Sequence, residues 1–245
     1  MICRKCGEET QGQFCSHCGA ALTEARNDWS KVWYYIRDSV DVNKGFLRTL
    51  KYLMIRPGSA IRKYLTGEAG TLSNPMKVLF ITGTIATFIT ANLWGVSDNA
   101  GYLDRLEFPD KDGYFNYSGR YFSFFSLDGL PVFALFSFLF FRKHSFNYIE
   151  HLLLNIYILG GQFLIVIIML PGWIYYPNAS TTIYGPLNVI YNLWVIAVIF
   201  KDAKSRWLKT LLACGIPFAL MPILNYFLYR IAPKDFWSFL DLIFN

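Results

Sequence analysis

Long apolar stretches alternate with short charged clusters from residue 76 onward, and this pattern predicts a membrane protein. A helix that crosses the hydrocarbon core of a bilayer needs about 20 mostly apolar residues. Five stretches approach that length, at about residues 76–96, 122–141, 151–170, 183–200 and 210–229. We therefore expect an all-α fold in which a polytopic bundle of about five transmembrane helices follows a small N-terminal zinc ribbon.

The segment before the first span has a different, amphipathic pattern. After a polar linker at 21–27, helical spacing of apolar residues predicts a short helix at 28–38 and another at 43–55. In the second helix, apolar and basic residues take opposite faces: Phe46, Leu47, Leu50, Leu53 and Met54 against Lys44, Arg48 and Lys51. Such a helix can lie on a cytoplasmic leaflet or pack onto the membrane bundle, and the sequence does not decide between them.

A break at Arg56-Pro57-Gly58 separates this helix from a shorter one at 59–65, which Gly67 ends. The chain then divides into a zinc-ribbon head at 1–20, a linker with interfacial helices at 21–75, and a transmembrane domain at 76–245. Aromatic residues in the tail at 232–245 fall at helical spacing, so we expect that tail at the membrane interface.

Composition and charge agree with membrane insertion. The chain is 54% hydrophobic and only 16% charged, whereas a soluble domain carries about 25% charged residues. The net charge of +6 comes mostly from basic clusters beside the predicted spans. The positive-inside rule explains that excess, so nucleic acid is not an expected partner. It also predicts an inner-membrane protein with a cytoplasmic N-terminus and an external C-terminus.

Four cysteines form two Cys-x-x-Cys-Gly knuckles within the first eighteen residues: Cys3, Cys6, Cys15 and Cys18. Four thiolates at this spacing suit a tetrahedral, structural Zn²⁺ site with no open position for catalysis. A cytoplasmic head favours metal binding over a disulfide. His17 is interpreted as a surface residue and Cys214 as a buried packing residue.

The segment from Gly45 through Arg56-Pro57-Gly58 to Gly67, followed by Asn74-Pro75, resembles a bacterial membrane family, domain-of-unknown-function family 3667. That family carries an Arg-Pro-Gly motif, often behind a zinc ribbon and ahead of several spans, and has no established activity. Glu68-Ala69 departs from the basic residue expected there. The arrangement is also distantly similar to the Yip1-like superfamily, at the level of fold analogy alone.

Two further sets of residues are candidate sites. The first set lies beside the membrane and is interpreted as a contact with lipid phosphate or with a partner: Arg56, Pro57, Gly58, Arg62 and Lys63. The alternative is a simple turn whose basic residues follow the positive-inside bias. Within the spans, a polar seam is predicted from Asp128, Glu150, His151, Asn155, Gln162, Asn188 and Asn192. The seam can be a proton or substrate path, or ordinary hydrogen bonding between helices.

No hydrolase or phosphate-loop motif is present in the sequence. The leading hypothesis is a non-enzymatic scaffold or adaptor that couples a cytoplasmic protein partner to the lipid bilayer through the zinc head. The competing hypothesis is a small-molecule, proton or lipid transporter that uses the polar seam of spans two to four. The latter requires Asp128, Glu150 and His151 to face one water-accessible cavity.

Overall fold

The computed structural model of the chain describes residues 9, 17, 45–67, 72–93, 126–143 and 146–232. Every element it assigns within these segments from residue 45 onward is a helix, which confirms the predicted all-α class for this part of the chain. We number the helices in chain order: α1 Gly45–Ile55, α2 Pro57–Leu65, α3 Pro75–Leu93, α4 Gly129–Phe141, α5 Tyr148–Ile168, α6 Leu170–Tyr175, α7 Pro177–Ile199 and α8 Arg206–Ile231.

Three of the described helices are long and apolar enough to cross a membrane: α5, the part of α7 from Thr182 to Ile199, and α8. They correspond to the third, fourth and fifth predicted spans. The first and second predicted spans correspond to shorter apolar helices, Pro75–Thr90 within α3 and Gly129–Phe141, which is α4. Part of each of these two predicted spans, and the predicted tail from residue 233, lie outside the described residues.

Helix α5 is the centre of the bundle. From Ile149 to Val166 all its residues except Leu152 and Ile165 are buried. A helix that is apolar on all sides is enclosed by its neighbours. By contrast, α8 leaves large apolar side chains such as Trp207, Leu211 and Phe227 mostly exposed. An outer helix with an apolar surface is what contact with lipid requires.

Long helices that follow one another in the chain alternate in direction. Val78 of α3 lies against Gly160 of α5, and Gly83 lies against Phe163, so α3 and α5 run in parallel. The rings of Phe141 and Phe200 stack with centroids 4.1 Å apart, which brings the C-terminal ends of α4 and α7 together. These ends lie beside the N-terminal part of α5, since the imidazole of His151 also stacks on Phe200.

We call this end of the bundle the basic end. Helices α5 and α8 begin there, and α4 and α7 end there, whereas α3 begins beside the middle of α5, where Val78 lies against Gly160. Its connecting segments carry Arg142, Lys143, Lys201 and Lys204, and the first turn of α8 adds Arg206 and Lys209. At the opposite end of the bundle, the described positions include one basic residue, Arg230.

The two short helices α1 and α2 pack against the bundle. In α1 the buried residues Phe46, Thr49 and Leu53 follow helical spacing. The backbone carbonyl of Leu53 accepts a hydrogen bond of 3.1 Å from the Tyr191 hydroxyl of α7. Leu47, predicted on the same apolar face, is 76% exposed, because the buried face is centred on Thr49 and not on Leu50. Gly67, at φ +78°, follows α2 as predicted.

Candidate functional site

The Arg-Pro-Gly motif forms the junction between α1 and α2. Arg56 is the exposed N-cap residue of α2, and Pro57 is its first helical residue, where the missing N–H costs no hydrogen bond. Gly58 faces α7: a Cβ atom at this position would lie 2.5 Å from Val198 Cγ1 and 2.8 Å from Val198 Cβ. The glycine therefore permits close packing of α2 against α7.

The outward face of α2 is basic. Arg62 and Lys63 are exposed, and Arg62 Nη1 lies 3.5 Å from Asp202 Oδ2 in the connection between α7 and α8. Both partners are well exposed, so solvent screens this ion pair and its contribution to stability is small. The five residues of the predicted contact site thus divide into two buried ones that hold α2 in place and three basic ones at the surface.

A hydrogen-bonded cluster joins α4 to α5. Ser137 Oγ lies 3.0 Å from His151 Nδ1, and the Asn155 side-chain amide donates to Ser137 Oγ at 3.2 Å. The same amide donates to the carbonyl oxygen of His151 at 2.8 Å. His151 and Asn155 both belong to the predicted polar seam, and the structure brings them together with Ser137.

Aromatic rings enclose the imidazole of His151. It stacks on Phe200 with centroids 5.4 Å apart, and the edges or faces of Phe138 and Phe146 lie at 5.7 Å and 6.4 Å. His151 is fully buried. Because the imidazole is buried, a substrate cannot reach the Ser137–His151 pair. The pair therefore connects the two apolar helices α4 and α5 through a hydrogen bond between polar groups.

Glu150 occupies a different environment from its neighbour His151. Its backbone N–H donates to Asn147 Oδ1 at 2.8 Å, and its Oε2 accepts from the Asn147 N–H at 2.7 Å. These reciprocal bonds form a capping box at the start of α5. The carboxylate therefore stabilises the helix terminus, where the helix dipole also favours negative charge.

Asp128 lies directly before α4, at the end of the bundle opposite the basic end. Its side chain makes no capping hydrogen bond, and its buried Oδ1 has no partner among the described residues. Ser137 is nine residues further along, about 13 Å at the helical rise, so Asp128 is separate from the His151 cluster.

The other members of the predicted seam make local or pairwise contacts. The Asn188 amide donates to the Tyr184 carbonyl at 3.1 Å within α7. Asn192 Oδ1 accepts from Cys214 Sγ of α8 at 3.3 Å. Gln162 is buried on α5, about 10 Å along the helix from Asn155. The seven predicted residues therefore occupy several small polar sites and not one continuous path.

Sequence reasoning missed two buried polar features. Ser137 is the one polar residue in the apolar sequence of α4, and that isolation was the available signal. A second set joins three helices: Thr49 Oγ1 accepts from the Ser73 N–H at 2.8 Å, and the Tyr157 hydroxyl donates to the Ser73 carbonyl. Lys77, in the first turn of α3, is 2% exposed. Nothing in its sequence context distinguishes it from an ordinary basic residue at a span end.

The four predicted zinc ligands, Cys3, Cys6, Cys15 and Cys18, lie outside the described residues. His17 is described and is exposed, and Cys214 is buried. Within the described segments, no group of three or more His, Cys, Asp or Glu side chains is placed to hold a metal ion. The zinc ribbon thus stays a prediction.

Comparison with known proteins bears on the α1–α3 segment. Residues 43–87 match the family model described as Protein of unknown function (DUF3667). This confirms the resemblance predicted from the Arg-Pro-Gly motif, over the segment that contains α1, α2 and the start of α3. No curated protein and no solved structure matches the chain.

Proposed function

We propose that this chain is a non-enzymatic membrane scaffold or adaptor of the bacterial inner membrane, whose zinc-binding head docks a cytoplasmic protein. The observation that carries the proposal is the docking of α1 and α2 onto the bundle. Leu53 and Ile61 are fully buried, and Gly58 lies directly against Val198. The segment that follows the head is therefore held to α5 and α7, so the head has a fixed attachment point.

The alternating directions of the long helices support five crossings in this proposal. With α5 and α8 starting at the basic end and α4 and α7 ending there, the positive-inside rule assigns that end to the cytoplasm. The N-terminal head then faces the cytoplasm and the C-terminus faces outward. Helix α4 has 13 residues, about 20 Å at the helical rise, so it crosses with local thinning of the bilayer or with further residues outside the described helix.

The outward surface of α1 and α2 suits the cytoplasmic leaflet. Arg48, Lys51 and Lys63 are exposed together with the apolar side chains of Leu47 and Ile55. Basic groups attract anionic headgroups, and apolar side chains between them enter the upper acyl region. In this proposal the pair of helices is thus bound to the bundle on one side and to the leaflet on the other.

A transporter of protons, small molecules or lipids has less support. That alternative needs Asp128, Glu150 and His151 in one cavity. Glu150 is engaged in a capping box, His151 is enclosed by aromatic rings, and Asp128 lies towards the opposite end of α4. Three separate environments favour the structural interpretation of these residues.

The zinc-dependent docking is tested on the full-length protein in nanodiscs. We expect about one Zn²⁺ per chain by metal analysis, and capture of a cytoplasmic protein by the wild type. The double substitution Cys3→Ser and Cys6→Ser should abolish both without removing the membrane domain. Cys214→Ser, which changes a cysteine outside the head, is the matched control and should retain both. Unchanged capture by the double variant would refute zinc-dependent docking.

Topology is tested separately with reporter fusions. Fusions after Lys143 and in the 201–205 connection should report the cytoplasm, and fusions near Tyr176 and at the C-terminus should report the outside. Both chain ends in the same compartment would contradict an odd number of crossings.

A further inference from the structure

The C-terminal end of α1 lies beside the middle of α5. The Tyr191 hydroxyl donates to the carbonyl of Leu53, and it also lies directly against Gly161 of α5. Since α5 begins at Tyr148, Gly161 lies 13 residues along it, which is about 20 Å at the helical rise. The start of α5 belongs to the basic end, so α1 ends well inside the bundle.

A second set of contacts places α1 at a similar level. Thr49, one turn before Leu53, accepts from the Ser73 N–H, and the Ser73 carbonyl accepts from the Tyr157 hydroxyl. Tyr157 lies nine residues along α5, or about 14 Å from its start. Thr49 and Leu53 therefore bracket a level about 14–20 Å from the basic end, and Lys51 lies between them in the same helix.

The outward surface of α1 at this level is basic. Lys51 and Arg48 are exposed, together with the apolar side chains of Leu47 and Ile55. A charged group in the hydrocarbon core is costly, and it is accommodated where headgroups and water reach it. The four-carbon stem of a lysine reaches about 6 Å. That reach is less than half of the distance to the basic end, so headgroups must lie close to α1.

On the side of the bundle formed by α4 and α8, apolar surface continues to the basic end. Trp207 and Leu208, in the first turn of α8, are 60% and 59% exposed. The hydrogen bond between Cys214 and Asn192 lies eight residues after the start of α8 and eight residues before Phe200 of α7, so α8 starts level with Phe200 at the basic end. Large exposed apolar side chains there require contact with lipid.

We propose that the outward face of α1 binds the headgroups of anionic phospholipids and thins the cytoplasmic leaflet beside it. The hydrocarbon boundary lies at the first turn of α8 on one side of the bundle and near α1 on the other, so a flat leaflet cannot match both. After the reach of a lysine is subtracted, the headgroups beside α1 lie about 8–14 Å further into the bundle. Lys51 attracts their phosphates, while Leu47 and Ile55 enter the acyl region beneath them.

The test measures the depth of two fluorescent amino acids in the full-length protein in nanodiscs. One replaces Tyr52 in α1, which is 43% exposed and adjacent to Lys51, and the other replaces Trp207 in α8. Quenching by phospholipids brominated at defined acyl positions gives the depth of each. We expect both probes within about 5–10 Å of the boundary between headgroups and acyl chains. If the Tyr52 probe prevents folding, Ile55 is the alternative position.

Two depth results would overturn the proposal. A probe in α1 at about 15 Å, the centre of the hydrocarbon core, would mean that α1 is embedded in a flat bilayer. A Trp207 probe in water would mean that a flat boundary lies at α1 and that the basic end projects from it. Both measurements compare positions within one protein, so they depend neither on its orientation in the membrane nor on docking by the zinc head.

The class of headgroup is tested by comparing quenching of the α1 probe in brominated phosphatidylglycerol and in brominated phosphatidylcholine. We expect a preference for phosphatidylglycerol, and Lys51→Leu should lower it about fivefold, the effect of one basic residue near an anionic surface. Lys204→Leu, which removes an exposed lysine at the basic end, is the control and should leave the preference unchanged. Equal quenching by the two lipids, or equal losses in both variants, would refute recognition of anionic lipid by α1.

Discussion

The clearest test of the fold is Gly58→Ala, in the centre of the Arg-Pro-Gly motif. A methyl group at this position would lie 2.5 Å from Val198 Cγ1 and 2.8 Å from Val198 Cβ. Carbon atoms in favourable contact are about 3.5–4.0 Å apart. Helices α2 and α7 must therefore separate by about 1 Å, or Val198 must change its rotamer.

The expected loss follows from two opposing effects. Overpacking of this kind typically costs about 1–3 kcal/mol. Alanine gains up to about 1 kcal/mol over glycine through its higher helix propensity, and less in the first turn, where Gly58 lies. We therefore expect a net loss of about 1–2 kcal/mol, which lowers the unfolding temperature by about 2–8 °C for a chain of this size.

The assay is thermal unfolding of the purified protein in detergent, with two further variants. Gly215→Ala in α8 is the matched control, because no atom lies within 4 Å of the added Cβ; it should be neutral or slightly stabilising. Val198→Ala removes the γ-methyl group at 2.5 Å and leaves the β-carbon at 2.8 Å. Combined with Gly58→Ala, it should restore part of the lost stability.

Two outcomes would refute the packing argument. One is a Gly58→Ala protein as stable as the wild type. The other is a loss of the same size in the Val198→Ala background, which would mean that the two positions are not coupled. A changed response to anionic lipid without any change in unfolding temperature would instead favour the predicted phosphate-contact role of the motif.

Three further predictions concern buried polar groups. Ser137→Ala removes the hydroxyl that bonds both the His151 imidazole and the Asn155 amide. The free energy of unfolding should therefore fall by about 1–3 kcal/mol in denaturation experiments; an unchanged value would contradict the role of the cluster. Tyr157→Phe should cost about 1 kcal/mol by losing a buried hydrogen bond, while Tyr175→Phe, at a residue 73% exposed, should cost nothing measurable. For Asp128, the buried Oδ1 has no hydrogen-bond partner among the described residues, and a buried charge without a partner is costly. Asp128→Asn removes the charge and keeps the size of the side chain, so it should raise the unfolding temperature at pH 7.5; a lower unfolding temperature would contradict the argument.

The arrangement of polar residues could be predicted only in part. A spacing of four residues is enough to place His151 and Asn155 on one face of a helix. Their shared partner Ser137 lies on another helix, so pairing them requires the packing of α4 against α5. The same limit applies to Glu150, which is adjacent to His151 in sequence and is nevertheless engaged at the helix cap.

The Arg-Pro-Gly motif illustrates the same division. Its proline and glycine predict a helix break from backbone geometry alone, and the structure has the junction of α1 and α2 there. The contact of Gly58 with Val198 joins residues 140 positions apart, and no local pattern encodes such a contact. Sequence reasoning treated the glycine as part of a lipid-phosphate or partner contact, or of a turn, whereas its missing side chain serves helix packing.

By itself, the sequence determined the helical class, the position of the apolar helices and the basic character of one end of the bundle. These properties depend on composition and on periodicity over one or two helical turns. Only the tertiary structure decided that α5 is central, that α1 and α2 lie on the bundle, and that Lys77 is buried. Burial depends on which helices are neighbours, and residues far apart in the chain determine this jointly.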